Sequence, residues 1–264
     1  MFETLSIENA GPVATVWMAR PEVFNAFNEQ LIDDLTRACA LLDQDHSVRV
    51  VVLAGRGPHF SAGADLNWMR RASVASEQDN LEDARRFARM LRALSTLSKP
   101  TIARVQGAAL GGGTGLAAAC DMAVASTDAV FSTSEVKFGI IPAVISPYVL
   151  RAIGPRQALR YFQSAERISA ERALTIGLVH EVAPPEQLDA AVAALVKPLL
   201  AGGPLAQKAA KELISAVNGR ALDEHTLEDT AQRIARQRRT DEARDGVSAF
   251  LDKRTPAWIN PQTP

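Results

Sequence analysis

Three stretches of the sequence carry residues whose types and spacing fit chemistry. The first is Phe60-Ser61-Ala62-Gly63-Ala64-Asp65-Leu66. Ala62, Gly63 and Ala64 have too little side chain to keep a ligand off the backbone. Asp65 at a helix start complements the helix dipole and leaves N–H groups free to bind. A tight strand-to-helix connection explains the same residues equally well. The second is Gln106-Gly107-Ala108-Ala109-Leu110-Gly111-Gly112-Gly113-Thr114-Gly115, ahead of the run LAAAC. A glycine run entering a helix aims N–H groups beyond its terminus, which stabilises a phosphate or a developing oxyanion. Close helix packing also calls for such residues. The third spans residues 131–142, FSTSEVKFGIIP, where Glu135 is a carboxylate among small and apolar neighbours. Burial would raise its pKa toward neutrality, as a base acting on a carbon acid requires. A solvated position or an ion pair with Lys137 is the plainer reading of that segment by itself.

Other chemistries find little support. His46, His59, His180 and His225 are scattered without metal-ligand spacing, and no G-x-S-x-G or H-E-x-x-H string occurs. Gly113-Thr114-Gly115-Leu116-Ala117-Ala118 fits G-x-G-x-x-A, with Glu135 downstream. A dinucleotide fold needs a long helix there, and Asp121 interrupts this one after about two turns. No Lys-Ser or Lys-Thr follows the glycines, which excludes an ATPase-type phosphate loop. Lys and Arg total 29 against 30 Asp and Glu, so no global field favours nucleic acid, an anionic membrane or an acidic partner. The Arg233, Arg236, Arg238, Arg239 cluster reads as a solvated helix face. Cys39 and Cys120 sit in apolar helix-like stretches and read as reduced core residues, which makes a cytoplasmic setting the default. The first ten residues, MFETLSIENA, lack the basic start and apolar run of a targeting signal, and no apolar run is long enough to span a bilayer.

These segments need a scaffold, and the 264-residue chain supplies an α/β pattern. LSIEN and VATVWM flank Ala10-Gly11-Pro12 as an opening hairpin. Asn28 is placed to cap an amphipathic helix over EQLIDDLTRACALLDQD, and residues 48–53 return as a buried strand. Further strands are expected at TIARVQG, at 122–125 leading to Phe131, and at 178–182 after a helix over 169–176. Such alternation favours parallel strands joined by crossover helices. From about Pro184 strand signals vanish, and LDAAVAALVKPLL, LAQKAAKELISAVN and TLEDTAQRIARQR read as amphipathic helices. They hold too few large apolar residues for a separate core, so docking on the first domain or on a neighbouring subunit is expected.

Taken together and in this order, the segments resemble the enoyl-CoA hydratase/isomerase, or crotonase, family over nearly the whole chain. RPEVFNAFN resembles an early family element, FSAGADL and VQGAALGGG the two oxyanion elements, and FLDKRTPAW the C-terminal ending. The resemblance implies a crotonase-like spiral of β-β-α units over 1–195 and a helical region over 196–264 that builds trimers or dimers of trimers. It implies no metal or redox cofactor, CoA being part of the substrate. By position, Ala64 and Gly112 take the oxyanion-donor roles and Glu135 that of acid and base. Ala62, Ala64, Asp65, Leu66, Gly112 and Gly115 would contact the acyl-CoA. Lys208 or Lys211 is a candidate for the CoA phosphates.

In the best-known hydratases two glutamates flank the substrate, and the first falls here on Gly115. A lone Glu135 fits a Δ3,Δ2-enoyl-CoA isomerase, since one base can remove a proton and return it further along. SAGADLNWMRR and PAVISPYVLRAIG are nonetheless similar to the methylglutaconyl-CoA and carboxygeranoyl-CoA hydratases of this family, which share the reduced first position. The expected reaction is therefore hydration of a branched or carboxylated 2-enoyl-CoA, with isomerisation as the alternative. A non-catalytic CoA- or RNA-binding scaffold ranks below both, because the charge is balanced.

Overall fold

The structure, a computed structural model, describes residues 2–259. They form two compact units, one of residues 2–97 with 101–194 and the other of residues 98–100 with 195–259. In the first unit β1 (Leu5–Ala10) and β2 (Val13–Met18) form the expected hairpin, turned at Gly11 with φ of 57°. Asn28 caps α1 (Glu29–Gln44), its Oδ1 accepting the Leu31 N–H at 2.9 Å. Leu31, Ile32, Leu35, Ala38, Cys39 and Leu42 recur at three and four and bury one face of that helix.

The next strand, β3 (Val50–Gly55), is buried along its length and starts two residues later than the apolar pattern predicts. The Val48 N–H is taken by Asp45 O at 3.1 Å, in the turn that closes α1. After β3 come α2 (Leu66–Ala72) and α3 (Glu77–Ser95), then β4 (Thr101–Val105), β5 (Ala108–Leu110) and α4 (Gly112–Ala119). The pattern repeats as β6 (Met122–Ser126), β7 (Val130–Ser132) and α5 (Ser146–Ser164), followed by β8 (Ile168–Ser169), α6 (Ala170–Thr175) and β9 (Glu181–Ala183). The strand expected over 178–182 is confined to its end. Leu178 and Val179 instead donate their N–H groups to Ala173 O, closing the turn after α6.

In the two full β-β-α repeats that follow the hairpin, β4-β5-α4 and β6-β7-α5, the first strand joins one sheet and the second strand another. The larger sheet runs β1-β2-β3-β4-β6-β9 and is parallel apart from its opening hairpin; the smaller runs β5-β7-β8. The turn containing β3 has a rudimentary second strand, because Ser61 bridges Ala109 in parallel fashion beside β5. Phe27, Phe60, Phe131, Met90, Leu91 and Leu116 are fully buried in the core of this unit. Cys39 and Cys120 are buried there and form no disulfide.

α7 (Leu188–Ala201) leads into the second unit, which holds α8 (Pro204–Val217), α9 (Glu224–Arg238) and α10 (Asp241–Leu251). The Glu242 carboxylate accepts the Leu205 and Ala206 N–H groups at 2.8 Å each, capping α8 from α10. The FLDKRTPAW ending folds back on α10, where Asp245 accepts from Arg254 Nη2 at 2.7 Å and from the Ala257 N–H at 2.8 Å. Few side chains are covered: Leu205, Ile214, Val247, Phe250 and Leu251 are all exposed. Among the described residues no single helix is long and apolar enough to cross a membrane.

Candidate active site

Strand register brings the three segments together. Ser61 pairs with Ala109, and Ala109 with Phe131, all in parallel. Three residues on from each lie Ala64, Gly112 and Ser134, so the register carries Ala64 and Gly112 into neighbouring rows and Glu135 into the third. The rows are held by the Ser61 N–H on Ala108 O at 3.0 Å, the Leu110 N–H on Ser61 O at 2.9 Å and the Gly111 N–H on Ser132 O at 2.7 Å. Adjacent strands lie about 4.8 Å apart, close enough for N–H groups on two rows to reach one oxygen.

Ala64 and Gly112 also carry uncommitted donors. Phe27 pairs with the first row from its other side, donating to Gly63 O at 2.7 Å and accepting from the Asp65 N–H at 2.9 Å. A parallel residue bonded across its partner leaves that partner's own N–H facing away, so the Ala64 N–H turns from Phe27. Gly112 is the first residue of α4, where helix N–H groups lack intrahelical acceptors. Among the described residues neither the Ala64 nor the Gly112 N–H donates to a protein acceptor.

Glu135 begins a short 3-10 turn, Glu135–Phe138, after β7. A Cβ built on Gly111 would lie 3.2 Å from Glu135 Oε1, so the carboxyl abuts the turn that presents Gly112. Its Oε2 is buried without a hydrogen-bond partner. Burial pushes the carboxyl above the usual glutamate range, against a smaller opposite pull from its own backbone N–H. The plainer reading, an ion pair with Lys137, is not realised: Lys137 is exposed, and no ion pair joins the two.

The remaining expected residues divide. Asp65 caps α2 as anticipated, accepting the N–H groups of Asn67 at 2.8 Å and Trp68 at 3.4 Å, while the Ala64 N–H just ahead of the cap stays open. Ala62 is half-buried with its N–H on Phe24 O, and Leu66 is exposed. Gly115 differs from its expected contact with substrate. It is buried inside α4, and a Cβ there would sit 2.7 Å from Ile145 Cβ, so Ile145 covers it and leaves it almost no surface. Gly113 likewise serves close packing, since a Cβ would lie 2.6 Å from Ser61 O. The resemblance to a dinucleotide fingerprint is thus a packing pattern. Lys208 and Lys211 lie on α8 of the second unit, where Lys211 Nζ is 3.5 Å from Lys99 O.

The sequence profile of the enoyl-CoA hydratase/isomerase family matches residues 8–261. The chain belongs to that family. A solved enoyl-CoA hydratase from Shewanella pealeana is similar in fold, with a TM-score of 0.95, 40% identity and coverage of 98% of this chain and 97% of that one. The 2,3-dehydroadipyl-CoA hydratase of Escherichia coli is 34% identical over 245 residues, 92% of this chain and 94% of that protein. The trans-2-decenoyl-[acyl-carrier-protein] isomerase of Streptococcus mutans is 30% identical over 252 residues, 93% and 94% of the two chains. The protein is therefore an enzyme of the hydratase/isomerase family with the α/β crotonase fold.

Within this enoyl-CoA hydratase/isomerase scaffold, some residues that shape the site escape a reading by motif. Phe27 and Phe87 flank Gly112, their rings 5.1 Å apart, and a Cβ at Gly112 would lie 2.9 Å from Phe87 Cζ. Ile145 fills the space beside Gly115. Both arise from tertiary packing. Arg20 stands out in the sequence only as part of RPEVFNAFN, with no role of its own.

Proposed function

We propose that this family member adds water across the C2–C3 double bond of a 2-enoyl-CoA. The observation that carries the reading is a pair of open N–H groups, Ala64 and Gly112, on neighbouring rows joined by the Ser61–Ala109 bridge, beside the buried, unpartnered carboxyl oxygen of Glu135. The thioester oxygen sits between the two donors. The Glu135 carboxylate takes a proton from water as its oxygen bonds to C3, and the π electrons move onto the thioester oxygen as an enolate. C2 then recovers a proton from the Glu135 carboxyl, so one water is added and the carboxylate is restored. Each N–H donor contributes most when the oxygen is charged, about 2.7 to 4 kcal/mol by analogy with other oxyanion holes.

The substrate in this reading is branched or carboxylated, such as methylglutaconyl-CoA. The PAVISPYV segment supports this, and so does the dehydroadipyl relative, whose acyl group carries a second carboxyl. The chain works as a cytoplasmic trimer or dimer of trimers, the C-terminal region from 196 acting in assembly and residues 1–195 holding the CoA site; the exposed apolar side chains of the second unit support self-association. Isomerisation of a 3-enoyl-CoA is the second reading, favoured by the packing of Ile145 over Gly115, which leaves Glu135 without a companion carboxylate at that position.

A screen of straight, branched and carboxylated 2-enoyl-CoAs and 3-enoyl-CoAs in heavy-oxygen water, read by product mass, separates the two. Gain of one labelled water on a branched or carboxylated 2-enoyl-CoA is the expected result. Conversion of 3-enoyl to 2-enoyl thioester without label would transfer the assignment to isomerisation.

A further inference from the structure

The Ala64 N–H lies on a strip that belongs to neither helix nor strand, so its direction must be set by what grips the strip. The grip comes from residues 24–27. Phe24 O accepts the Ala62 N–H at 2.9 Å, Asn25 O accepts Ser61 Oγ–H at 2.8 Å, and Phe27 bonds on both sides of Ala64. This gripping segment is itself unusual, because Phe24 and Asn25 have φ of 55° and 54°. Left-handed residues other than glycine persist only where their surroundings hold them.

Arg20 spans the two parts. Its Nη1 donates to Ala26 O, its Nη2 donates to Asp65 Oδ2 at 3.1 Å, and its backbone N–H donates to Asn25 Oδ1 at 2.9 Å. Asn25 in turn donates from Nδ2 to Arg56 O and His59 O at 2.9 Å each, ahead of the strip. The Arg20 and Asp65 side chains are 14% and 12% exposed, unlike surface pairs such as Arg89 and Glu82 at 58% and 44%. Burial of that kind keeps water from replacing the bond, and a planar fork reaching two acceptors fixes angle as well as distance.

We infer that Arg20 is a positioning residue for the Ala64 donor: its guanidinium ties the gripping segment to Asp65 and so aims the intervening N–H at the thioester oxygen. The inference rests on the oxyanion reading given under Proposed function. Gly112 needs no equivalent, because helix α4 and its packing orient it. Losing Arg20 therefore blunts one donor and spares the other.

The test uses the full-length enzyme with bound 3-methylbutanoyl-CoA carrying 13C at the thioester carbonyl, a saturated ligand that cannot take up water. Isotope-edited infrared spectra read how strongly the carbonyl is polarised. Wild type is expected to lower the carbonyl frequency relative to free ligand. Arg20→Lys, Arg20→Gln and Asp65→Asn should return the band part of the way, with kcat on an enoyl-CoA reduced about 10- to 100-fold and KM changed little. Arg160→Gln, which breaks the exposed pair with Glu166, should leave band and kcat unchanged. Arg20→Lys keeps the charge and most of the stem, so it reports even where Arg20→Gln fails to fold. If wild type leaves the carbonyl at its free frequency, the oxyanion reading itself falls. If wild type polarises the carbonyl and the folded variants do so equally, the positioning role is wrong, whether or not their activity drops.

Discussion

The two rows that carry the open N–H groups are built in opposite ways. The first, 61–65, has almost no regular structure, and polar contacts from Arg20, Asn25 and Phe27 hold it. The second, 111–115, is the start of a helix jammed against its surroundings, with Gly113 on Ser61 O, Gly115 on Ile145 and Gly112 on Phe27 and Phe87. One donor is aimed by hydrogen bonds and the other by the absence of side chains. The first row should thus be sensitive to changes of charge and the second to the addition of a single methyl.

The largest effect should come from the group both rows serve. Glu135→Gln is expected to lower kcat by about 10²- to 10⁴-fold, the usual worth of general acid–base catalysis. Polarisation of a bound thioester carbonyl should survive, because both donors are backbone. Steady-state kinetics beside the infrared measurement separate the two roles, and a variant with unimpaired turnover would remove Glu135 from the reaction. Next comes Gly113→Ala. Its Cβ would lie 2.6 Å from Ser61 O and 3.1 Å from Ser61 Cβ, which forces the rows apart at the point where they pair. Activity should fall about 10²- to 10³-fold, as when one oxyanion donor is lost. A fully active Gly113→Ala enzyme would mean that the spacing of the rows is not what positions the donors.

The same contrast explains what could be read from the chain. Strands, helix α1 with its Asn28 cap and the helical C-terminal part follow from apolar periodicity and local capping, which are encoded over a few residues. The edges that moved, at Val48 and at Leu178 with Val179, are apolar residues recruited into turns by neighbouring carbonyls, and periodicity cannot register that. The glycine-rich row announces itself because small residues are rare in such density. Its neighbours do not: Phe87 and Ile145 reach the site from α3 and from the entrance to α5, and only packing brings them there. Gly115 illustrates the limit, since a glycine that opens a site and a glycine buried under Ile145 look identical in sequence.

Thr114 ties the second row to β7 and should give an intermediate effect. Its hydroxyl donates to Ala109 O at 2.7 Å and lies 3.1 Å from Ser132 O, and it accepts the Ser132 N–H at 3.3 Å. The residue is fully buried. Thr114→Val preserves shape and deletes the hydroxyl, leaving polar backbone groups short of a partner at a cost of about 1 to 3 kcal/mol in stability. Denaturant unfolding measures this directly. A loss below that range would show that Ser132 and Ala109 find other partners, and that packing alone aligns the second row with β7.

The smallest effect distinguishes the rows by pH. Burial acts to raise the Asp65 carboxyl, but the Asn67 N–H, the Arg20 guanidinium and the Trp68 N–H outweigh it and hold Asp65 below the usual range. Its contribution is present above the unfolded aspartate value and is lost as pH falls through the folded one. Glu135 is shifted the other way by burial. Between the ordinary glutamate range and its raised folded value, the folded chain keeps a proton that the unfolded chain has released, so stability declines as pH rises through that window. Melting temperatures of wild type, Asp65→Asn and Glu135→Gln across acid to neutral pH should accordingly diverge in opposite senses. Glu135→Gln gains on wild type as pH rises, whereas the deficit of Asp65→Asn shrinks as pH falls. Parallel curves for Glu135→Gln and wild type would mean that its carboxyl is hydrated in the folded enzyme, and that the second row does not shield the base it faces.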